Sequence, residues 1–173
     1  MFCVIVFGPL IFCCNVVSLH ISGTCENMNC AYVSETYSPF TYITLNLNGV
    51  STVQAAVNKY FEPECQEFKC SACRQVGKTN SKQFEIHEAA NTIFIVLLRF
   101  RSNGSKIDSR VSLDDIVSFP DGTKYQLAGA VMHLGSQSKS GHYTAVTKCT
   151  DQSFREFDDK FVSNTNCITS NEI

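Results

Sequence analysis

The sequence is short of several things at once. It has no tryptophan, and only four prolines and nine glycines among 173 residues. So little Pro and Gly excludes a collagen-like or low-complexity chain, and 44% hydrophobic against 17% charged residues excludes a disordered one. Neither sign of charge dominates: 14 basic residues face 16 acidic ones, a formal charge of −2. No basic surplus advertises a nucleic-acid partner, and no acidic tail is present. The opening run Met1–Val17 is apolar, yet no Lys or Arg occurs before Lys59, so it lacks the positive start of a signal peptide. It also lacks the length of a membrane span, because Asn15 and Ser18 break it and Pro9 lies inside it. A buried strand or helix stub is the expectation for residues 1–23, and membrane association is not expected. With no internal repeat and no flexible linker, 173 residues suit one domain of ordinary size.

Cysteine is abundant, with ten residues, and so is phenylalanine, with 13. Ten cysteines mean either disulfides in a secreted protein or thiolate ligands in a reducing compartment. The apolar periodicity is mostly that of strands. Residues 40–47 alternate, with Ile43, Leu45 and Leu47 on one face; residues 82–88 alternate again; residues 92–100 are almost wholly apolar, the pattern of a strand buried on both faces. Three more strand-like runs follow at 125–134, 142–148 and 153–158, punctuated by turns at Asn103-Gly104 and Pro120-Asp121-Gly122. One helix is predicted from an N-cap at Ser51 to about Phe61, ended by Pro63, with Val53, Ala56, Val57 and Tyr60 on its inner face. The fold class is α+β, mainly antiparallel β with one or two helices.

Two groups of residues carry chemistry. Cys70-Ser-Ala-Cys73 is a C-x-x-C knuckle, a spacing that lets two thiolates reach one tetrahedral ion. Cys25 and Cys30 form a wider pair upstream, and the two pairs together could close a structural four-cysteine zinc site. Cys65 is a substitute ligand, and a redox C-x-x-C is the alternative. Cys3, Cys13, Cys14, Cys149 and Cys167 have no partner at metal spacing and are expected to be buried thiols. The second group is Met132-His133-Leu-Gly135, Ser140-Gly141-His142-Tyr143 and Phe157-Asp158-Asp159. A histidine opening a strand can point into a cleft at the sheet end, and an aspartate ending the next strand can fix its tautomer. That is the orienting half of a hydrolase triad, although a merely structural His–Asp pair has the same spacing.

These residues resemble a known family. The run from Tyr125 to Gly135, then Ser140-Gly-His-Tyr-Thr-Ala145, Phe157-Asp-Asp159 and Val162-Ser163, is similar to the histidine box of ubiquitin-specific proteases. Cys25–Cys30, Ser38-Pro-Phe40, Cys70–Cys73, Ile93–Phe100 and Lys106-Ile107 resemble that family's fingers and its L-x-R-F strand, in order and from about Thr24 to Ser163. The resemblance implies a papain-like cysteine peptidase cleaving the isopeptide bond at the ubiquitin C-terminus, with fingers over about 24–90, a palm over about 91–163 and a tail over 164–173. It implies His142 as general acid–base, Asp158 as its orienting partner, and His133 and Asp159 behind them. Gly141 and Tyr143 would shape the channel for ubiquitin's Gly-Gly tail. It further implies structural zinc on Cys25, Cys30, Cys70 and Cys73, ubiquitin or a ubiquitinated protein as partner, and a cytoplasmic or nuclear location.

Two departures follow. The first cysteine pair is C-x4-C where the family has C-x-x-C, and the family's N-x-G-N-T-C cysteine box has no counterpart here; Cys13-Cys14-Asn15 lacks its Gly and its Asn-Thr lead. The expectation is therefore the C-terminal half of such a catalytic domain, its N-terminal thumb missing, inactive alone for want of a nucleophile. A non-catalytic ubiquitin-binding or scaffold module is the alternative. Apolar surface that a thumb would cover, at roughly 25 cal/mol per Å², would leave the isolated chain marginally stable.

Overall fold

A computed structural model describes residues 3–8, 17–25, 27–107, 109–137 and 140–168. Their strands form two sheets. The first contains β1 (Cys3–Phe7), β4 (Tyr42–Asn46), β7 (Ile93–Leu98), β8 (Ile116–Ser118), β9 (Lys124–Gln137), β10 (Ser140–Lys148), β11 (Phe154–Asp158) and β12 (Phe161–Thr165). Its order is β12-β11-β10-β9-β1-β7-β4, with β8 added alongside β9. The second sheet has the order β3-β2-β6-β5, from β2 (Val17–Thr24), β3 (Val33–Phe40), β5 (Glu64–Lys69) and β6 (Val76–Glu88). All pairs are antiparallel except β4 with β7, which run parallel. Sheet membership does not change once along the chain: β4 joins the first sheet although β3, β5 and β6 around it belong to the second.

The doubly buried character of residues 92–100 has its cause in this order. β7 lies between β1 and β4, and Ile93, Ile95 and Leu97 are almost wholly buried. Of the apolar opening run, Cys3–Phe7 is a strand paired on both sides, Ile5 standing opposite Ile95 and Ala130. Cys13 and Cys14 lie outside the described residues. The helix α1 (Val53–Phe61) touches β4, β6 and β8 and buries Val53, Ala56, Val57 and Phe61. Its cap is Thr52, not Ser51: the Thr52 hydroxyl accepts from the Ala55 N–H at 3.0 Å. Ser51 is instead engaged through its backbone, its carbonyl accepting from Ser112 N. Tyr60 stays partly exposed and stacks on Phe84 of the second sheet, so α1 joins the two sheets. Buried Arg99 donates through Nη1 to the carbonyls of Ile107 and Ser109, pinning the loop after β7.

Candidate active site and metal centre

The His–Asp pair is a product of strand register. Phe157 stands opposite Ala145, so Asp158 falls on the same face of the sheet as His142, one diagonal step away. His142 Nε2 meets Asp158 Oδ1 directly. The aspartate thus holds one ring nitrogen and leaves Nδ1 to exchange a proton. Hydrogen bonding to Asp158 and its negative charge raise the His142 pKa above the ordinary histidine value, aided by Asp159 and opposed by desolvation. Asp159 has φ +49° and begins the tight turn between β11 and β12. Both members of the pair are about half exposed. Among the described residues, no cysteine sulfur is hydrogen-bonded to the His142 ring.

His133 lies behind this pair. It is 5% exposed, its ring meets Phe100 edge-on at 5.5 Å and Tyr143 at 4.9 Å, and its carbonyl accepts from Lys106 Nζ at 3.0 Å. Burial, with the Lys106 charge second, lowers its pKa and favours the neutral ring. The pairing of β9 and β10 slips between Ser140 and His142, a β-bulge at the site. There a Cβ on Gly141 would stand 2.2 Å from His133 Nε2 and 2.5 Å from the Leu134 carbonyl oxygen. Gly141 is thus demanded by the His133 ring, beyond the backbone freedom its position before His142 suggests. Lys106 and Phe100 were visible in the sequence only as members of a motif. Their role as supports of His133 needs the loop closure at Phe100 and Lys106, a single bridge that periodicity does not reveal.

The four predicted ligand cysteines converge at the far end of the second sheet. Cys25 Sγ lies 3.8 Å from Cys73 Sγ, Cys30 Sγ lies 3.7 Å from Cys70 Sγ, and all four sulfurs fall within 4.8 Å of one another. A tetrahedral zinc with bonds near 2.3 Å needs sulfurs about 3.8 Å apart, so the residues fit the ion. The C-x4-C spacing is explained by comparing the two turns. Arg74 N donates to the Cys70 carbonyl, with Arg74 at φ +61°; Ala31 N donates to the Asn27 carbonyl, with Ala31 at φ +46°. Asn27 therefore occupies the turn position of Cys70. Cys25, two residues upstream, supplies the sulfur and pairs its N–H with the Tyr32 carbonyl, as Cys70 does with Gln75. Asn27 then links the turns, donating from Nδ2 to Gln75 Oε1 at 2.9 Å.

The thiol protons respond to this crowding. The Gln75 backbone N–H lowers the Cys73 pKa to about 7. The Asn27 backbone N–H also lowers Cys25, but desolvation and the neighbouring thiols outweigh it and push Cys25 up to about 12. The side chain of Cys65, the substitute ligand, lies outside the described ones. Cys149 and Cys167 correct the expectation of buried thiols: Cys149 is half-buried at the β10–β11 turn, and Cys167 is exposed beyond β12.

The family profile described as ubiquitin carboxyl-terminal hydrolase matches residues 24–171. The chain belongs to that family. It is 28% identical to human ubiquitin carboxyl-terminal hydrolase 42 over 87% of its own length and 12% of the relative's. It is 30% identical to ubiquitin carboxyl-terminal hydrolase 36 of Drosophila mojavensis over 78% of this chain and 12% of that one. Among solved structures it superposes on a chain of the yeast SAGA DUB module with a TM-score of 0.76 at 23% identity, covering 87% of this chain and 36% of that one. The SAGA Ubp8/Sgf11/Sus1/Sgf73 DUB module bound to ubiquitin aldehyde gives a TM-score of 0.73 at 22% identity, over 87% and 37%. The chain thus spans about an eighth of these relatives and somewhat over a third of these solved chains. The α+β architecture of this ubiquitin carboxyl-terminal hydrolase domain, mostly β-sheet with one helix, is consistent with papain-like fingers and palm; we call the first sheet, with the His–Asp pair, the palm and the second, with the cysteine cluster, the fingers.

Proposed function

We propose that this chain is the fingers-and-palm portion of a cysteine-type deubiquitinase, carrying the proton-transfer and substrate-gripping halves of the site but not its nucleophile. The observation that supports the reading most directly is the contact of His142 Nε2 with Asp158 Oδ1 in a chain of this family. In such a site Asp158 holds the ring in the tautomer whose Nδ1 accepts a proton from a thiol and later gives it to the leaving amine. Tyr143 and Gly141 line the approach of an extended Gly-Gly tail, and His133 and Asp159 hold the surrounding backbone and charge. Cys25, Cys30, Cys70 and Cys73 would hold a structural zinc that ties the two finger turns together and supplies no catalytic chemistry. The partner is ubiquitin or a ubiquitinated protein, and the compartment is the reducing cytoplasm or nucleus, where thiolates persist.

The sequence has no N-x-G-N-T-C box, so the His–Asp pair has no thiolate to activate and the chain alone hydrolyses nothing. The test is turnover of ubiquitin carrying a C-terminal fluorophore, together with ubiquitin titrations followed by amide NMR. No turnover with binding that survives His142→Ala is the expected result. Turnover that His142→Ala abolishes overturns the inactivity, and absence of any shift at millimolar ubiquitin overturns the partner.

A further inference from the structure

The outward face of the fingers sheet carries a group of side chains that the proposed site does not use. His20 of β2 stands opposite Tyr37 of β3 and Glu85 of β6. The His20 and Tyr37 rings stack at 4.9 Å and 21°, and His87 meets Tyr37 edge-on at 4.7 Å. Glu35 approaches His20 Nε2 at 3.8 Å, and Glu85 approaches Nδ1 at 3.7 Å. Both glutamates are more than half exposed, as is Tyr37. Glu88, opposite Ser18, adds a third carboxylate. The three paired stretches 18–22, 35–39 and 85–88 contain no Lys or Arg. Among the described residues of these stretches, the face therefore has aromatic side chains open to solvent and carboxylates around them, with the His20 ring between Glu35 and Glu85 but no fixed positive charge. Such a face suits a guanidinium or ammonium group, which stacks on a ring while pairing with a carboxylate.

We propose that this face docks an arginine- or lysine-bearing segment of a partner protein, distinct from the grip on ubiquitin. Charge complementarity selects the occupant: an acidic segment would be repelled by Glu35 and Glu85, and a purely apolar one would bury them with only the His20 ring as partner. A guanidinium can stack on an aromatic ring while offering several N–H donors to neighbouring carboxylates, so arginine is preferred over lysine. The contact area is small and the charges are exposed, so binding is weak and salt-sensitive.

The full chain is titrated with an Arg-Gly decapeptide, its Glu-Gly counterpart and ubiquitin, each followed by amide and histidine-ring NMR. Shifts with the Arg-Gly peptide should centre on residues 18–22, 35–39 and 85–88, and disappear with the Glu-Gly peptide. The double variant Glu35→Gln/Glu85→Gln alters two exposed side chains, and should weaken the Arg-Gly peptide about three- to tenfold while keeping the fold. Tyr37→Ala should weaken it comparably. Shifts scattered over acidic residues elsewhere, or an affinity unchanged in the glutamine variant, overturn the proposal. Displacement of the peptide by ubiquitin from these same residues also overturns it, by assigning the face to the substrate. Retained ubiquitin binding in the glutamine variant keeps the two surfaces distinct.

Discussion

Replacing Gly141 by alanine tests the architecture of the site most sharply. The added methyl would lie 2.2 Å from His133 Nε2, 2.7 Å from His133 Cε1 and 2.5 Å from the Leu134 carbonyl oxygen. All three are well inside van der Waals contact, so something must move. The His133 ring cannot simply rotate away, since it is buried between Phe100 and Tyr143 and its own carbonyl is held by Lys106. Overpacking of a filled site costs about 1–3 kcal/mol, and a contact with backbone on one side places this substitution near the top of that range. For a chain of this size about 3 kcal/mol lowers Tm by roughly 6–12 °C. The assay is urea unfolding of the native chain and of Gly141→Ala, repeated with His133→Ala as a second background. Removing the ring abolishes two of the three clashes but leaves Leu134, so the rescue should be partial, with a coupling of about 1–2 kcal/mol between the positions. A Gly141→Ala chain within about 0.5 kcal/mol of the parent, or strict additivity with His133→Ala, would refute the reasoning.

Three further outcomes are expected. His142 should titrate above the ordinary histidine value, and Asp158→Asn should bring it down; because the folded value is the higher one, the stabilisation is complete below the unfolded pKa and fades as pH rises through the folded pKa, as ring NMR against pH would record. One zinc per chain should be found by elemental analysis, and Cys70→Ser or a strong chelator should release it, with loss of dispersion in fingers resonances while palm resonances persist. At the helix, Thr52→Ala should cost about 1 kcal/mol in urea unfolding and Ser51→Ala only a few tenths, since Thr52 alone holds the Ala55 N–H through its side chain.

What the sequence made legible follows from how local each signal is. The strands at 93–98 and 124–137 announce themselves by apolar residues that face the core directly, and 140–148 by the shorter β-forming stretch Tyr143–Thr147, of which Thr144 and Val146 are buried. β3 is hidden because nearly all of Val33–Phe40 is exposed, so neither face carries an apolar series, whereas β6 is legible only at its end, where Phe84 and Ile86 alternate with Glu85 and His87. β12 is an edge strand with Phe161 and Val162 exposed, a pattern that reads as loop. The His142–Asp158 pair was readable as residue types and spacing, while its ring-nitrogen assignment depends on the register of β10 against β11. The distinction between Ser51 and Thr52 as cap is one residue wide and is settled only by which hydroxyl faces the first turn. Asn27 in the place of a cysteine could not be seen from spacing, because the two turns match in hydrogen bonding and not in sequence.

The position of β1 sets a timing problem for synthesis. Ile5 pairs with Ile95 and with Ala130, so the middle of the palm sheet joins residues about 90 and about 125 positions apart. At about 5–20 residues per second, the opening strand waits roughly 6–25 s on the ribosome before its second neighbour has been made. Until β7 has been made, Cys-Val-Ile-Val-Phe is an unpaired, uncharged β-former, and until β9 follows it keeps one open edge, the kind of segment that other nascent chains can capture. The yield of folded protein should therefore depend on chaperone supply and expression rate more than on the equilibrium stability of the finished sheet.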